Sequence, residues 1–479
     1  MLRYTSKRFG GALKANLNVR GLASTAGNGR ISNTRMTVLP NGITVATEEI
    51  PHTLTATVGV WIDAGSRADV TDETSGTAHF LEHLAFKGTK NRSQIDLELE
   101  VENCGSHLNA YTSRENTVYY AKTLKEDIPR AVNILSDILT RSKLEKVAIE
   151  RERPVIIRES EEVDKMYDEV VFDRLHEVIF KGQPLGRTIL GPIECIKSIQ
   201  QKDLKNYITT NYKGDRMVLV GAGCVDHEEM VRIAIENFGH VPISTEPKPL
   251  GTPRTALPEF LSGEVHVEDD SLPNIYMAIA LEGCSWSSPN YFKALVAQAI
   301  VGNWDRATNA GAVTPLGKAV VDNSKNGGNP LCNSYMSFST SYSDTGLWGM
   351  YLVIDRASQR VDSAVDAICG EWNRLQKGGF TDAELESAKA QLRGSLLLSL
   401  DGSTAVAEDV GRQLVTTGER LSPDEIISRV NKVSREDVVN WCQETFSDKG
   451  KLAIATLGGV ANDASNVVNS NDVLAKLKI

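Results

Sequence analysis

Met217-Val218-Leu219-Val220-Gly221-Ala222-Gly223 reads as a short buried strand, and Lys451-Leu452-Ala453-Ile454-Ala455-Thr456-Leu457 reads as its counterpart 234 residues later. The helical frames upstream repeat as well. Ile196, Ile199, Asp203, Leu204 and Tyr207 stand against Val430, Val433, Asp437, Val438 and Trp441 at the same offset. Ile128, Ala131, Val132, Leu135 and Leu139 answer Val361, Ala364, Val365, Ile368 and Trp372 at an offset of 233. Two offsets within one residue of each other predict a duplicated domain of about 200 to 230 residues. In the first copy, strands are expected at 56–63, 108–120 and 217–221, and helices near 76–87, 125–142, 144–180 and 197–209. The fold class is therefore α+β: two homologous domains, each a mixed, largely antiparallel sheet with helices packed on one face. They are expected at 36–246 and 262–465, joined by a Pro/Gly-rich linker at 247–261. Val220-Gly221-Ala222-Gly223 lacks the following Lys-Ser/Thr of a phosphate loop and reads as a strand-end turn.

The 479 residues are 41% hydrophobic and 24% charged, and no run nears the roughly 18 apolar residues of a membrane-spanning helix. Seven cysteines, an odd number without a Cys-x-x-Cys pair, point to free thiols in a reducing compartment rather than a disulfide or thiolate-zinc framework. The first 47 residues contain no Asp or Glu, while Arg3, Lys7, Arg8, Lys14 and Arg20 stud a Ser/Leu/Ala-rich start. That is the composition of a mitochondrial transit peptide, expected to span 1–22 and to end before Ala23. Its removal takes the net charge from −10 to −15, which disfavours nucleic-acid binding and favours a cationic ligand.

Residues 79–83 read His-Phe-Leu-Glu-His. On a helix, His79 and His83 stand at i and i+4 and leave one face together, as a chelate for a divalent metal. Glu82 points to the same space beside the metal, placed to take a proton from a water. This is the inverzincin order. The polar stretch 71–76 offers N-cap residues, Phe80, Leu81, Leu84 and Ala85 supply an apolar stripe, and Lys87-Gly88-Thr89 closes the helix. The counterpart helix of the second domain, expected near 291–300, has no His and no carboxylate, so only the first domain carries the metal.

Zinc in hydrolases takes three protein ligands and keeps one open position, so the His pair needs a partner from elsewhere. On the acidic helix expected at 144–180, Glu159, Glu162, Glu169 and Asp173 fall within about 80° of one another. Glu145, Glu161 and Asp164 read as solvated charges. The residues alone do not choose among the four. His52, His107, His176, His227, His240 and His266 lack ligand spacing and read as ordinary core or surface histidines.

His79-Phe80-Leu81-Glu82-His83-Leu84-Ala85-Phe86-Lys87-Gly88-Thr89, Leu108-Asn109-Ala110-Tyr111-Thr112-Ser113-Arg114-Glu115 and Ile149-Glu150-Arg151-Glu152-Arg153 closely resemble the pitrilysin family of metalloendopeptidases, in its mitochondrial presequence-processing branch. Pro184-Leu185-Gly186-Arg187-Thr188-Ile189-Leu190-Gly191-Pro192 and Ser341-Tyr342-Ser343-Asp344-Thr345-Gly346-Leu347-Trp348-Gly349 extend the resemblance over nearly all of 36–465. It implies one Zn²⁺ per chain, held by His79, His83 and Glu159, with Glu82 as catalytic base and Glu152 supporting the ligands from behind. It further implies that Glu169 and Asp173 bind an arginine upstream of the cut, and that Asn109, Ala110 and Tyr111 accept the substrate as an added strand. Pro154 departs from the family pattern. A mid-helix proline removes one backbone bond and kinks the helix, so Glu152 and Glu159 are not expected to share a straight face.

The resemblance implies cleavage of presequences in the mitochondrial matrix or at the matrix face of the inner membrane. It also implies a heterodimer with an α-type processing-peptidase subunit. The α-type subunit carries a glycine-rich loop, whereas 302–330 here has only scattered glycines, so the chain alone is expected to be weak or inactive. The alternative is a structural core subunit of ubiquinol-cytochrome c reductase, respiratory complex III, which shares the fold. Degenerate core subunits lose metal-site residues that are all present here, and the resemblance includes chains that serve both roles.

Overall fold

The structure is a computed structural model that describes residues 34–69, 71–252, 256–308, 312–322, 329–447, 451–459 and 468–477. The transit peptide expected at 1–22 lies outside these residues, as do 253–255 of the expected linker and the expected domain end at 465. The first sheet comprises β1 (Arg35–Val38), β2 (Thr44–Glu49), β3 (Thr55–Ile62), β4 (His107–Thr112), β5 (Thr117–Leu124) and β6 (Met217–Gly223). The second comprises β7 (Gly263–Val267), β8 (Asn274–Glu282), β9 (Asn303–Asp305), β10 (Ser334–Ser341), β11 (Gly346–Asp355) and β12 (Leu452–Leu457). Their orders, β1-β2-β6-β3-β5-β4 and β7-β12-β8-β11-β10-β9, share a five-strand core. In it β2, β6, β3, β5 and β4 correspond to β7, β12, β8, β11 and β10. The parallel pair is β2 with β6 in one sheet and β7 with β12 in the other, and the remaining pairs are antiparallel. The two repeated segments are β6 and β12, each beside the long central strand of its sheet.

Two expected elements divide. The strand expected at 108–120 is the hairpin β4–β5, because Ser113 and Asn116 close a turn on themselves. The Ser113 amide donates to the Asn116 carbonyl (2.8 Å) and the Asn116 amide to the Ser113 hydroxyl (2.9 Å). The helix expected at 144–180 is two helices, Lys146–Val163 and Tyr167–Ile179, broken where Met166 turns extended (φ −90°, ψ 90°). The four acids therefore do not form one face, and Glu162 is exposed and paired to Lys165 at 2.6 Å. Pro154 does not end its helix, which runs unbroken from Lys146 to Val163.

The break lets the chain cross between halves. Each half packs its own helices on one face of its sheet, and a helix from the other half covers the opposite face. Tyr167–Ile179 buries Val171, Leu175 and Ile179 against Ala278, Ala280, Ala453 and Ala455 of the second sheet, whose small side chains admit a close approach. In return, Ser403–Thr417 buries Val406, Ala407, Val410 and Leu414 against Val218, Val220, Ala222 and Trp61 of the first. A Cβ on Gly411 would stand 2.2 Å from Trp61 Cδ2, so this contact requires glycine. At about 1.5 to 3 kcal/mol per buried aliphatic side chain, each exchanged helix is a substantial tie between the halves.

Polar ties cross the same junction. The buried Arg67 guanidinium donates to Glu115 (2.8 Å) and to both oxygens of Asp344 (2.8 and 2.6 Å), while Glu115 also accepts from the Ser343 amide and hydroxyl. Buried His176, on the helix Tyr167–Ile179, bonds the Phe172 carbonyl through Nδ1 (2.7 Å) and the Tyr342 hydroxyl through Nε2 (2.6 Å). The carbonyl can only accept, so Nδ1 carries a proton. Burial, reinforced by the nearby Arg114 charge, holds its pKa well below 6.5. His227 is likewise buried between the Thr37 and Thr47 hydroxyls, and the seven cysteines are free.

Arg67→Met should lower unfolding stability by about 3 to 5 kcal/mol, because it leaves two carboxylates buried without their cation; urea titration checks this. His176 takes up its proton far more readily unfolded than folded. Its contribution is therefore complete above the unfolded pKa of about 6.5 and is lost as pH falls below it. The urea midpoint should drop from pH 7 to 5 more steeply in the unaltered protein than in His176→Gln.

Candidate metal centre

His79 and His83 project from the helix Thr77–Leu84. The cap comes from the stretch 71–76, as the sequence suggests. Its N-cap is Gly76 (φ 93°), and the first turn is held by buried Asp69, which accepts from the Gly76 and Ala78 amides at 2.7 and 3.1 Å. Burial pushes the Asp69 carboxyl up to about 7 against those amides and the Arg187 charge. Glu159 arrives from the helix Lys146–Val163. Its oxygens stand 3.7 Å from His79 Nε2 and 2.9 Å from His83 Nε2. A tetrahedral ion with bonds of 2.0 to 2.1 Å separates its ligands by about 3.3 Å, a value these two distances bracket. The donor set of two imidazoles and one carboxylate fits a divalent metal, and buried His79 Nδ1 has no hydrogen-bond partner among the described residues.

The adjacent imidazoles of His79 and then His83 hold the Glu159 carboxyl far below its ordinary range. Burial lowers the His83 pKa, but Glu159 and Glu152 outweigh it and raise the net value. Glu152 and Glu159, seven residues apart and so nearly in line on one helix, both reach His83. Glu152 lies 3.4 Å from Nδ1 with its other oxygen 2.8 Å from Lys87, so it orients the ring whose Nε2 faces Glu159. The kink expected at Pro154 does not separate them. Arg153 ties this helix to the metal helix by lying over the Phe80 ring, 5.7 Å from its centre. Glu82 accepts from the Thr112 hydroxyl at 2.6 Å, at the end of β4.

Asn109, Ala110 and Tyr111 lie on β4, which ends the sheet order with a free outer edge among the described residues. The Ala110 amide donates to the Asn109 side chain at 2.8 Å, outside the ladder to β5. In the second half the equivalent edge, β10, is covered by β9. Thr112 and Tyr111 face opposite sides of the strand. The Tyr111 hydroxyl and Trp61 indole donate to Glu408 of the helix Ser403–Thr417 at 2.6 and 3.1 Å, tying this edge to the second half. Glu169 and Asp173 stand at i and i+4 on the helix Tyr167–Ile179, and Asp173 already accepts from Arg114 at 2.5 Å.

A family profile described as insulinase (peptidase family M16) matches residues 44–193, and a second, described as peptidase M16 inactive domain, matches 198–392. The chain belongs to peptidase family M16. It is 60% identical to the mitochondrial-processing peptidase subunit beta of Saccharomyces cerevisiae, over 96% of this chain and 97% of that one. The same-named protein of Lentinula edodes is 54% identical, covering 94% of each chain, and that of Bos taurus 46%, covering 90% and 85%. Among solved structures it is similar to a chain of complex III2 from Candida albicans, Inz-5 bound, with a TM-score of 0.78, 25% identity, and coverage of 92% of this chain and 99% of that one.

As an M16 peptidase the chain is a metallopeptidase. The helix Tyr291–Val301 of the part matched as inactive has no His and no carboxylate, and among the described residues the one metal-competent grouping is His79, His83 and Glu159. Sequence reasoning missed Asp69, Lys87, Thr112, Arg114 and Glu408 as partners of the M16 site. Lys87, four residues after His83 and opposite in charge to Glu152, carries a readable signal; Asp69 and Glu408 act from separate elements and carry none. Glu152→Gln should weaken divalent-metal binding by about 10- to 100-fold, because His83 loses the carboxylate that orients it. Equilibrium dialysis against zinc measures this, and an unchanged affinity would remove Glu152 from the site.

Proposed function

We propose that the chain is the catalytic, beta-type subunit of a presequence-processing endopeptidase of the mitochondrial matrix, with one Zn²⁺ on His79, His83 and Glu159. The observation that carries this reading is the meeting of those three residues beside Glu82, which is hydrogen-bonded to the end of an open-edged strand. A bound zinc ion supplies Lewis acidity toward the scissile carbonyl and lowers the pKa of water to about 7. The substrate is held extended along β4, where backbone pairing at Asn109, Ala110 and Tyr111 gives affinity without sequence. Glu82, oriented by Thr112, accepts the proton of the attacking water and passes it to the leaving amine. The acids of the helix Tyr167–Ile179 favour an arginine upstream of the cut.

The relatives at 46% to 60% identity are named as beta subunits, which supports a heterodimer with an α-type subunit. A second reading rests on the likeness to the complex III2 chain: the protein also, or instead, serves as a core subunit of that assembly. Co-purification with cytochrome-containing membranes separates one role from two.

The test combines the chain from Ala23 onward, alone and with an α-type subunit, with an arginine-containing presequence peptide, with and without chelator. Cleavage is expected only with both subunits and metal. Glu82→Gln should keep zinc and lose at least about 100-fold in rate, while His79→Ala loses both. An active Glu82→Gln enzyme would sink the assignment.

A further inference from the structure

The helix Tyr167–Ile179 covers only part of the sheet it crosses to. It packs on β7, β12 and β8, and it reaches further through Phe172, whose ring meets Phe338 of β10 at 5.0 Å and stacks on Tyr351 of β11 at 5.7 Å. Beyond Phe172 the same face is apolar and partly exposed. Met336 stands opposite Tyr351 in the β10–β11 ladder and is 41% exposed, and half-buried Val353 follows two residues along β11. The rim is acidic. Asp305 of β9 and Asp355 of β11 share this face by the two-residue period of their strands, and the Asp168 charge acts on the Tyr351 hydroxyl from the helix side. β9, β10 and β11 present no Lys or Arg to this side. An apolar floor between carboxylates suits a segment that interleaves apolar and cationic residues. The stretch 1–22 of this chain, read above as a presequence, has that composition: Lys14 and Arg20 stand among Leu13, Leu17 and Leu22, and it has no acid.

This floor adjoins the helix that carries the acids. Phe172 lies one turn from Glu169, and Asp173 of the same helix is bonded to Arg114 just past the Thr112 end of β4, so chain upstream of an arginine held there leaves β4 towards the second sheet. From Glu169 across Phe172 to Met336 is a reach of about four to six extended residues. We propose that the open face of β9–β11, centred on Met336 and Phe172, is a further substrate subsite that takes an apolar side chain of the presequence upstream of its arginine. This rests on the presequence reading above, and it gives the half without metal ligands a direct part in binding substrate.

The test measures peptide binding to the zinc-loaded complex of Glu82→Gln with its α-type subunit. The probes take this chain's own sequence: 10–28, the shorter 19–28, and 10–28 carrying Leu13→Ser and Leu17→Ser, all containing Arg20. The complex should hold 10–28 about tenfold or more tighter than the other two. Met336→Lys, at an exposed position, should abolish that preference by setting a cation into the apolar floor, and should leave the short peptide unchanged. Met336→Leu should bind all three as the parent does. The proposal is overturned if the parent binds the three alike, if Met336→Lys keeps the preference or weakens the short peptide equally, or if Met336→Leu behaves as Met336→Lys. It is also overturned if Met336→Lys releases the α-type subunit in sedimentation velocity, which would make this face a subunit contact. Failure of the unaltered zinc-loaded complex to cleave 10–28 would instead count against the presequence reading.

Discussion

A guanidinium buried between two carboxylates, one from each half, fixes the relation among the parts of the site. Arg67 lies in the short turn that leads to the metal helix, Glu115 in the turn that ends the β4 edge, and Asp344 in the hairpin turn of the second half. Moving any one of these elements separates charges that have no water to fall back on. Desolvating three ionised groups costs several kcal/mol each, and the attraction repays this only when the geometry is right. Such a cluster therefore adds little net stability over an apolar packing of the same volume, and its effect is to penalise every other arrangement. On the proposed reading, in which Glu82 takes a proton while bonded to a strand end, that constraint matters, because displacement of about 1 Å between strand and metal helix costs about 100-fold in rate.

The helix exchange explains why a half without metal ligands is retained. Tyr167–Ile179 lies on the second sheet, yet it carries Glu169 and Asp173; Ser403–Thr417 lies on the first, and its Glu408 holds Tyr111 on the opposite side of β4 from Glu82. Neither half has a complete strand-holding frame without the other. The metal-competent group His79, His83 and Glu159, in contrast, comes from two helices of the first half, so on the proposed reading metal affinity and substrate placement rest on separable parts of the chain.

The duplicated α+β plan was legible because β6 and β12 are almost wholly apolar, and the His pair because its spacing is local to one helix. Glu159 could be reached only through resemblance, since its distance from His83 depends on how two helices cross. The break at 164–166 left no trace, as Asp164, Lys165 and Met166 include neither Gly nor Pro and the helix stops there for tertiary reasons. The exchange did leave one: Thr-Val-Gly-Val-Trp-Ile at 57–62 is buried at every position, the mark of a strand covered on both faces. Pro154 misled in the other direction. Its ring removes one amide from the ladder, but Arg153 over Phe80 and the contacts of Glu152 and Glu159 with His83 hold the helix in line, so a local cost is met by tertiary packing.

The two sheets differ at the equivalent edges β4 and β10. An uncovered edge strand is a liability, because its unpaired amides and carbonyls invite pairing with any extended chain. In the second half β9 removes that liability by pairing with β10 from Asn303 to Asp305. In the first half the edge stays open among the described residues, and Asn109 lends its side-chain oxygen to the Ala110 amide, a bond that an incoming strand can replace without leaving the donor unsatisfied. An edge that caps itself when empty and opens for an extended segment is suited to substrates with little sequence in common. On the proposed reading it leaves selection to the charges beyond the end of the strand, where Arg114 pairs with Asp173 and Glu169 lies one helical turn away.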